Sequence, residues 1–261
     1  VPVMVKGDEA NGFLVDADAL RPHVTERTKA LILNSPNNPS GSVCSRALLE
    51  GIAALAVEKQ FYVISDEIYE KLIYDGEAHV SIASLGDEIR AQTIVVNGVS
   101  KSYAMTGWRI GYAAGPKPVI RAMTAFQSHS TSNPNSIAQH AAAVALTNGE
   151  KFMHDSLVEF DARRRLMHQL ISEIPGLSAA LPKGAFYMML NISALIGKSL
   201  NGRAIRGSDD FAEMLLESQK VAVVPARAFG DDRYVRLSYA TSRDKITLGL
   251  ARIAEFVKEL E

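Results

Sequence analysis

Val95-Val96-Asn97-Gly98-Val99-Ser100-Lys101-Ser102-Tyr103-Ala104-Met105-Thr106-Gly107-Trp108-Arg109-Ile110-Gly111-Tyr112 is the stretch around which the chain is organised. An apolar run from Ile94 to Val96 ends in Asn-Gly, as a strand does where it stops at a turn. Lys101 follows between two serines, then Arg109, then a second apolar run from Ile110 to Ala114. A lysine on a loop at a strand end is well placed to act as a nucleophile. Small hydroxyls and an arginine beside it suit a phosphate. By itself the pattern also fits a solvated surface loop, so its meaning depends on the strand ends elsewhere in the chain.

Two further apolar runs end in polar groups. Lys29 to Asn34 reads as a short strand buried on both faces, and it runs into Asn34-Ser35-Pro36-Asn37-Asn38-Pro39-Ser40-Gly41. The two prolines fix φ and remove two donors, leaving the Asn38 amide free to face a ligand or to satisfy a tight turn. A helix is predicted from about Ser45 to Lys59, with Ser45 as N-cap and an apolar face of Leu48, Leu49, Ile52, Leu55 and Ala56. Phe61 to Asp66 is the next strand, and strand–helix–strand order implies a parallel sheet. Asp66 stands at its carboxyl end, where open α/β sheets place their ligand sites, although a helix N-cap would also explain it. Tyr69 follows three residues later, so one helical turn would point both side chains to one spot. Asn38, Asp66 with Tyr69, and Lys101 are thereby delivered to one edge of the sheet.

The remainder reads as support. Pro116 to Ser130 and Pro134 to Thr147 are expected as helices, and the row Ala138, Ala141, Ala142, Ala145 predicts close packing. A long polar helix from Glu150 to Glu173 carries Arg163, Arg164 and Arg165, which read as a solvated face. Pro175-Gly176 marks a boundary. Beyond it, strands at Ala185 to Asn191, Val221 to Val224 and Tyr234 to Ser238, with helices at Asp209 to Gln219 and at the C-terminus, describe a smaller α+β lobe. The expected division is 1–150 for a large α/β domain, 151–175 for a connecting helix and 176–261 for the small domain. Arg236 occupies an alternating position in the strand Tyr234-Val-Arg-Leu-Ser238. Val1 to Val5 is expected as a strand.

Composition narrows the classes. Twenty-eight basic and 29 acidic side chains nearly cancel, so no electrostatic footprint for nucleic acid or an anionic membrane is present. Cys44 is the single cysteine, which rules out an intrachain disulfide and a cysteine metal cluster, and the six histidines show no i, i+4 metal pairing. No apolar run is long enough for a membrane span. A cytoplasmic protein without metal is the expectation. No Gly-x-Gly-x-x-Gly follows any strand, so a dinucleotide fold is disfavoured.

Taken together, these stretches resemble the pyridoxal-phosphate enzymes of fold type I, specifically class I aminotransferases of the bacterial aspartate aminotransferase type. Asn34 to Gly41 is similar to the family's Asn-Pro-Thr-Gly loop, Ser65 to Tyr69 to its Asp-x-x-Tyr motif, Ser100 to Gly111 to its Schiff-base lysine segment, and Tyr234 to Tyr239 to its carboxylate-binding strand. The resemblance implies a mostly parallel α/β sheet sandwiched by helices, with a smaller α+β C-terminal domain. It implies pyridoxal 5'-phosphate bound through Lys101, with Asp66 on the pyridine nitrogen, Tyr69 and Asn38 on the phenolic oxygen, and Ser100 and Arg109 on the phosphate. Arg236, with Asn38 beside it, would hold the substrate carboxylate. The implied activity is transamination between an amino acid, aspartate first, and 2-oxoglutarate, in a homodimer. A prephenate or alanine aminotransferase, a carbon–sulfur lyase, or a non-catalytic domain of the same fold would carry the same motifs. Gly98 departs from the serine many members carry three residues before the lysine, and Ala226 from the glycine common after Pro225. The resemblance also implies that an N-terminal portion, with the glycine-containing phosphate loop and a ring-stacking aromatic, is absent from this chain.

Overall fold

The computed structural model describes residues 1–261. Its larger sheet has four strands in the order β1 (Ala30–Asn34), β2 (Tyr62–Asp66), β3 (Thr93–Gly98) and β4 (Gly111–Ala114). The first three run parallel and β4 returns antiparallel to β3. Helix α1 (Arg46–Lys59) connects β1 to β2, and the Ser45 hydroxyl accepts from the Leu48 N–H at its start. Its Leu49, Ile52, Leu55 and Ala56 are buried with Val63 and Phe61 in one apolar core.

The register Leu33↔Ser65 and Ile32↔Ile64 separates the two faces of the sheet. α1 covers the face of Val63. On the opposite face Ile32 is 75% exposed, and Tyr62 and Val96 are also exposed. The expectation that β1 is buried on both faces is therefore corrected: one face alone has a helix against it. The expected strand at Val1 to Val5 is corrected too. That segment has no regular structure, Val1, Val3 and Met4 are exposed, and no backbone hydrogen bond joins it to a strand. Apolar alternation does not make a strand where no neighbouring strand takes up the ladder.

After β4, three helices follow in succession: α2 (Lys117–Ser130), α3 (Ser136–Asn148) and α4 (Glu150–Ser172). Ala138 and Ala142 of α3 are buried with Val99 and Ile110, so the small-residue row packs beside the lysine loop. A second, three-stranded sheet consists of β5 (Tyr187–Asn191), β6 (Val224–Pro225) and β7 (Tyr234–Ser238), with β7 in the centre. α5 (Ser208–Gln219) and α6 (Arg243–Lys258) pack on it. Met167 and Ile171 of α4 join Phe211, Leu215, Val235 and Phe256 in the largest apolar core. β6 is shorter and later than the strand expected at Val221 to Val224, and the segment between β5 and α5 contains a small hairpin, Ser199–Leu200 with Arg203–Ala204.

The solvated reading of Arg164 is corrected as well. Its side chain is fully buried, and its guanidinium bonds Asp75 at 2.8 Å, Asp161 at 2.5 Å and the Pro182 carbonyl at 2.5 Å, with the Tyr74 ring 4.6 Å away. Arg163 and Arg165, by contrast, lie at or near the surface, paired with Glu159 and Asp161. Asp161 is one turn away on the same helix, but Asp75, Tyr74 and the Pro182 carbonyl are distant in sequence, and helix periodicity carries no information about them.

Candidate active site

Parallel register brings the polar strand ends side by side. Asn34 at the end of β1 faces Asp66 at the end of β2, and Asp66 faces Val96 of β3. The Asn34 amide ties the corner together: its Nδ2 donates to the Asp66 carbonyl at 3.0 Å, and its Oδ1 accepts from the Asn38 N–H at 2.8 Å. The peptide bonds before Pro36 and Pro39 are both cis. The Asp66 carboxylate accepts from the Ile68 N–H at 3.1 Å, an Asx turn that starts the reversal leading to Tyr69.

Asn38 and Arg236 meet although they lie in different lobes. Arg236 Nη1 donates to Asn38 Oδ1 at 2.9 Å. Arg236 Nε is the one buried side-chain polar atom with no hydrogen-bond partner, and no carboxylate pairs with the guanidinium. Its planar group lies 4.4 Å from the Tyr187 ring centroid and 5.5 Å from that of Phe229. A buried donor such as Nε that finds no acceptor is costly, and an anion reaching this half-buried guanidinium would relieve it.

Tyr69 is buried, and its hydroxyl lies 3.1 Å from that of Tyr187. Burial first, and then the hydrogen bond to Tyr187, push the Tyr69 phenol well above its ordinary pKa, while nearby Arg236 acts in the opposite direction. Lys101, half-buried, has its ammonium 6.0 Å from the Tyr69 ring centroid and 5.9 Å from that of Phe186. Asn38, Tyr69, Lys101 and Arg236 are thus linked through two aromatic rings. Ser100 lies at the start of the lysine loop. Arg109 stands at its exposed end, at φ 55°, with Nη1 donating to the Thr106 carbonyl at 2.9 Å.

Gly98 has a local reason. It pairs with Gly111 across β3 and β4, and a Cβ there would lie 2.8 Å from the Ile110 carbonyl oxygen and 3.0 Å from Gly111 Cα. The strand pair closes too tightly at this point for a serine.

Sequence reasoning missed Tyr187, Phe186, Asn34 and Glu67. Strand alternation offered a signal for Tyr187, because Met189 pairs with Arg236 and Tyr187 therefore shares its face. Glu67 is buried beside Asp66 and takes hydrogen bonds from Ser65 (3.0 Å), Ser81 (2.6 Å) and His79 (2.9 Å). Glu67, Glu70 and His79 have ligand atoms within 4.8 Å of one another, but three protein donors already occupy the Glu67 carboxylate. A cleft of 1150 Å³ runs from the N-terminal segment over β1 to Asn38, Met189 and Phe229.

An α/β sheet with polar strand ends, a lysine loop and an arginine from a second lobe fit the fold type I class. The aminotransferase class I and II family matches residues 1–253, and the chain belongs to that family. It is 43% identical over 258 residues to an aspartate aminotransferase of Bacillus subtilis, covering 99% of this chain and 65% of that protein. A crystal structure of the aspartate aminotransferase from Rhizobium meliloti superposes with a TM-score of 0.96 at 40% identity, covering 100% of this chain and 66% of that one. An aromatic aminotransferase from Pyrococcus horikoshii gives 0.91 at 42% identity, with 99% and 67% covered. The chain therefore spans about two thirds of the length of these relatives. No helix is long and apolar enough to cross a membrane.

Proposed function

We propose that this chain carries the catalytic lysine and the carboxylate-binding arginine of a pyridoxal-phosphate-dependent aminotransferase acting on aspartate, with 2-oxoglutarate as acceptor. The observation that carries the reading is Arg236: a half-buried guanidinium with a buried, unpartnered Nε, bonded to Asn38 and set on an aromatic ring. An α-carboxylate is the anion that a planar fork of this kind holds at two points. Amino acids and 2-oxo acids both bring one.

The donor set suits the cofactor. Lys101 offers an amine with no acidic partner, Asp66 a carboxylate at the sheet edge, and Arg109 a guanidinium with one of its donors used. When bound, the cofactor supplies an electrophilic aldehyde and a ring that withdraws electrons from the substrate's α-carbon. Lys101 would hold the aldehyde and then move the proton at the substrate Cα. Asp66 would keep the ring nitrogen protonated, and Tyr69 and Asn38 would donate to the phenolic oxygen. Ser100 and Arg109 would hold the phosphate. Arg236 would hold the substrate carboxylate and so fix its orientation in the site.

A large domain at 1–150, a linking helix at 151–175 and a small domain at 176–261 fit this reading, as do a homodimeric assembly and a cytoplasmic location. Support comes from the family match and from relatives named as aspartate aminotransferases. The test is to add pyridoxal phosphate to the purified protein, reduce with borohydride, and locate the added mass by peptide mapping. Label on Lys101 together with aspartate-dependent turnover of 2-oxoglutarate is the expected result. Label absent from Lys101, or no turnover with any amino-acid donor, refutes it.

A further inference from the structure

We propose that Tyr187 is a positioning residue that holds Arg236 with its ring and Tyr69 with its hydroxyl, and so sets the carboxylate site and the phenol site relative to each other. The inference rests on the aminotransferase reading and deepens it. β5 and β7 are antiparallel, with Met189 opposite Arg236 and Tyr187 opposite Ser238. The pleat places Tyr187 and Arg236 on one face as diagonal neighbours, a separation an aromatic side chain spans.

One side chain therefore makes two unlike contacts. The guanidinium lies 4.4 Å from the ring centroid, within the range where the negative ring face attracts a cation. At the far end of the same ring, the hydroxyl meets Tyr69 at 3.1 Å, and the two rings meet edge to face at a centroid distance of 5.8 Å. Tyr187 is 7% exposed, so its ring and hydroxyl are largely shielded from solvent, while Arg236 is half-buried.

The hydroxyl pair shares one hydrogen bond, and either oxygen can donate it. When Tyr187 donates, the Tyr69 proton is released to point at another acceptor; when Tyr69 donates, it is not. The Tyr187 hydroxyl thus decides whether Tyr69 can serve a phenolic oxygen beside Lys101. The ring, meanwhile, limits how far the unpaired guanidinium can swing from Asn38. Arg236 also favours the ionised form of Tyr69 through its charge, so the spacing fixed by Tyr187 is electrostatic as well as steric.

Two substitutions separate the roles. Tyr187→Phe keeps the ring and removes the hydroxyl; Tyr187→Leu removes both. The readouts are the pH titration of the visible band of bound pyridoxal phosphate, and maleate affinity by calorimetry, maleate serving as a dicarboxylate probe. Y187F is expected to move the titration midpoint while maleate affinity stays within about twofold. Y187L is expected to weaken maleate about fivefold to tenfold as well. Wild-type titration in Y187F, or wild-type maleate affinity in Y187L, overturns the proposal, as do equal losses of maleate affinity in both variants. A wild-type protein with no visible band fails the aminotransferase reading itself and takes this one with it; an unmoved titration with the band intact refutes the Tyr187 role alone.

Discussion

Arg236 Nη1 donates to Asn38 Oδ1 at 2.9 Å, joining residues 198 positions apart. The bond crosses from the central strand of the small sheet to the proline loop after β1. A carboxylate arriving at Arg236 thus finds the guanidinium already held on one side, with Nε still unpartnered. Preorganisation of that kind lowers the cost of ordering the fork when substrate binds.

Arg236→Lys should raise KM for amino acid and oxo acid alike, about tenfold or more. An ammonium is a point charge and cannot place two parallel N–H donors on one carboxylate. Affinity for pyridoxal phosphate should change little, because the role proposed for Arg236 is to hold the substrate carboxylate and not the cofactor. Steady-state kinetics with both substrates, alongside spectral titration of the cofactor, measure the two effects separately. Equal losses in the two would move Arg236 out of the substrate role.

Lys101→Ala should abolish transamination and leave the fold intact. The Lys101 side chain forms no ion pair; its nearest aromatic neighbours are ring centroids 5.9 and 6.0 Å away. Its removal strips no buried partner, and the stability change should stay within about 0.5 kcal/mol. Thermal unfolding and turnover are the paired measurements. Activity near wild type would exclude Lys101 as the residue that carries the cofactor.

The three strand ends were legible because short apolar runs ending in Asn-Ser-Pro, Asp and Asn-Gly are local signals. β1, β2 and β3 lie where those runs stop, at Asn34, Asp66 and Gly98. Arg236 was legible as an odd charge in an apolar strand. Arg164 was not, because its burial depends on Asp75, 89 residues away, and on the Pro182 carbonyl. Tyr187 was not legible, because a tyrosine in an apolar strand shows nothing of what its hydroxyl meets, here Tyr69, 118 residues off. Val1 to Val5 misled in the opposite direction. Its residue types favour a strand, but a strand needs a neighbour, and the sequence of one segment cannot supply it.

Glu67→Gln should cost about 1–3 kcal/mol at neutral pH. The carboxylate accepts from Ser65, Ser81 and His79, and an amide has a single acceptor oxygen to offer them. Burial pushes the Glu67 pKa up, but the bonds from His79, Ser81 and Ser65 outweigh it and leave the group net lowered. A folded-state pKa below the unfolded one contributes stability above the ordinary carboxylate range and loses it as pH falls through the folded value. Wild type should therefore lose stability on acidification more steeply than E67Q. Urea unfolding at pH 7 and at pH 4 tests this; parallel pH profiles for the two proteins would show that Glu67 is not the titrating group.

Arg164→Ala should be the most destabilising of these substitutions, at about 3–5 kcal/mol, because it leaves buried partners without their cation. Arg164 is fully buried on α4 and bonds Asp75, Asp161 and the Pro182 carbonyl together. Those three groups come from the turn after β2, from α4 itself and from the approach to β5. Next to the same site, the Tyr74 hydroxyl donates to the Ala185 carbonyl at 2.6 Å, so the loss would loosen the segment that carries Phe186 and Tyr187. The Arg164 hydrogen bond holds the Asp75 carboxyl at about 2, below its ordinary range. With the folded value depressed, this stabilisation is present above the unfolded pKa and fades as pH falls toward 2. Arg164→Met keeps the apolar stem and should recover part of the packing over Tyr74 but none of the pH dependence. Chemical unfolding of wild type, R164A and R164M across pH 3 to 7 separates the two contributions. A loss in R164A below about 1 kcal/mol would place Arg164 among the solvated helix charges after all.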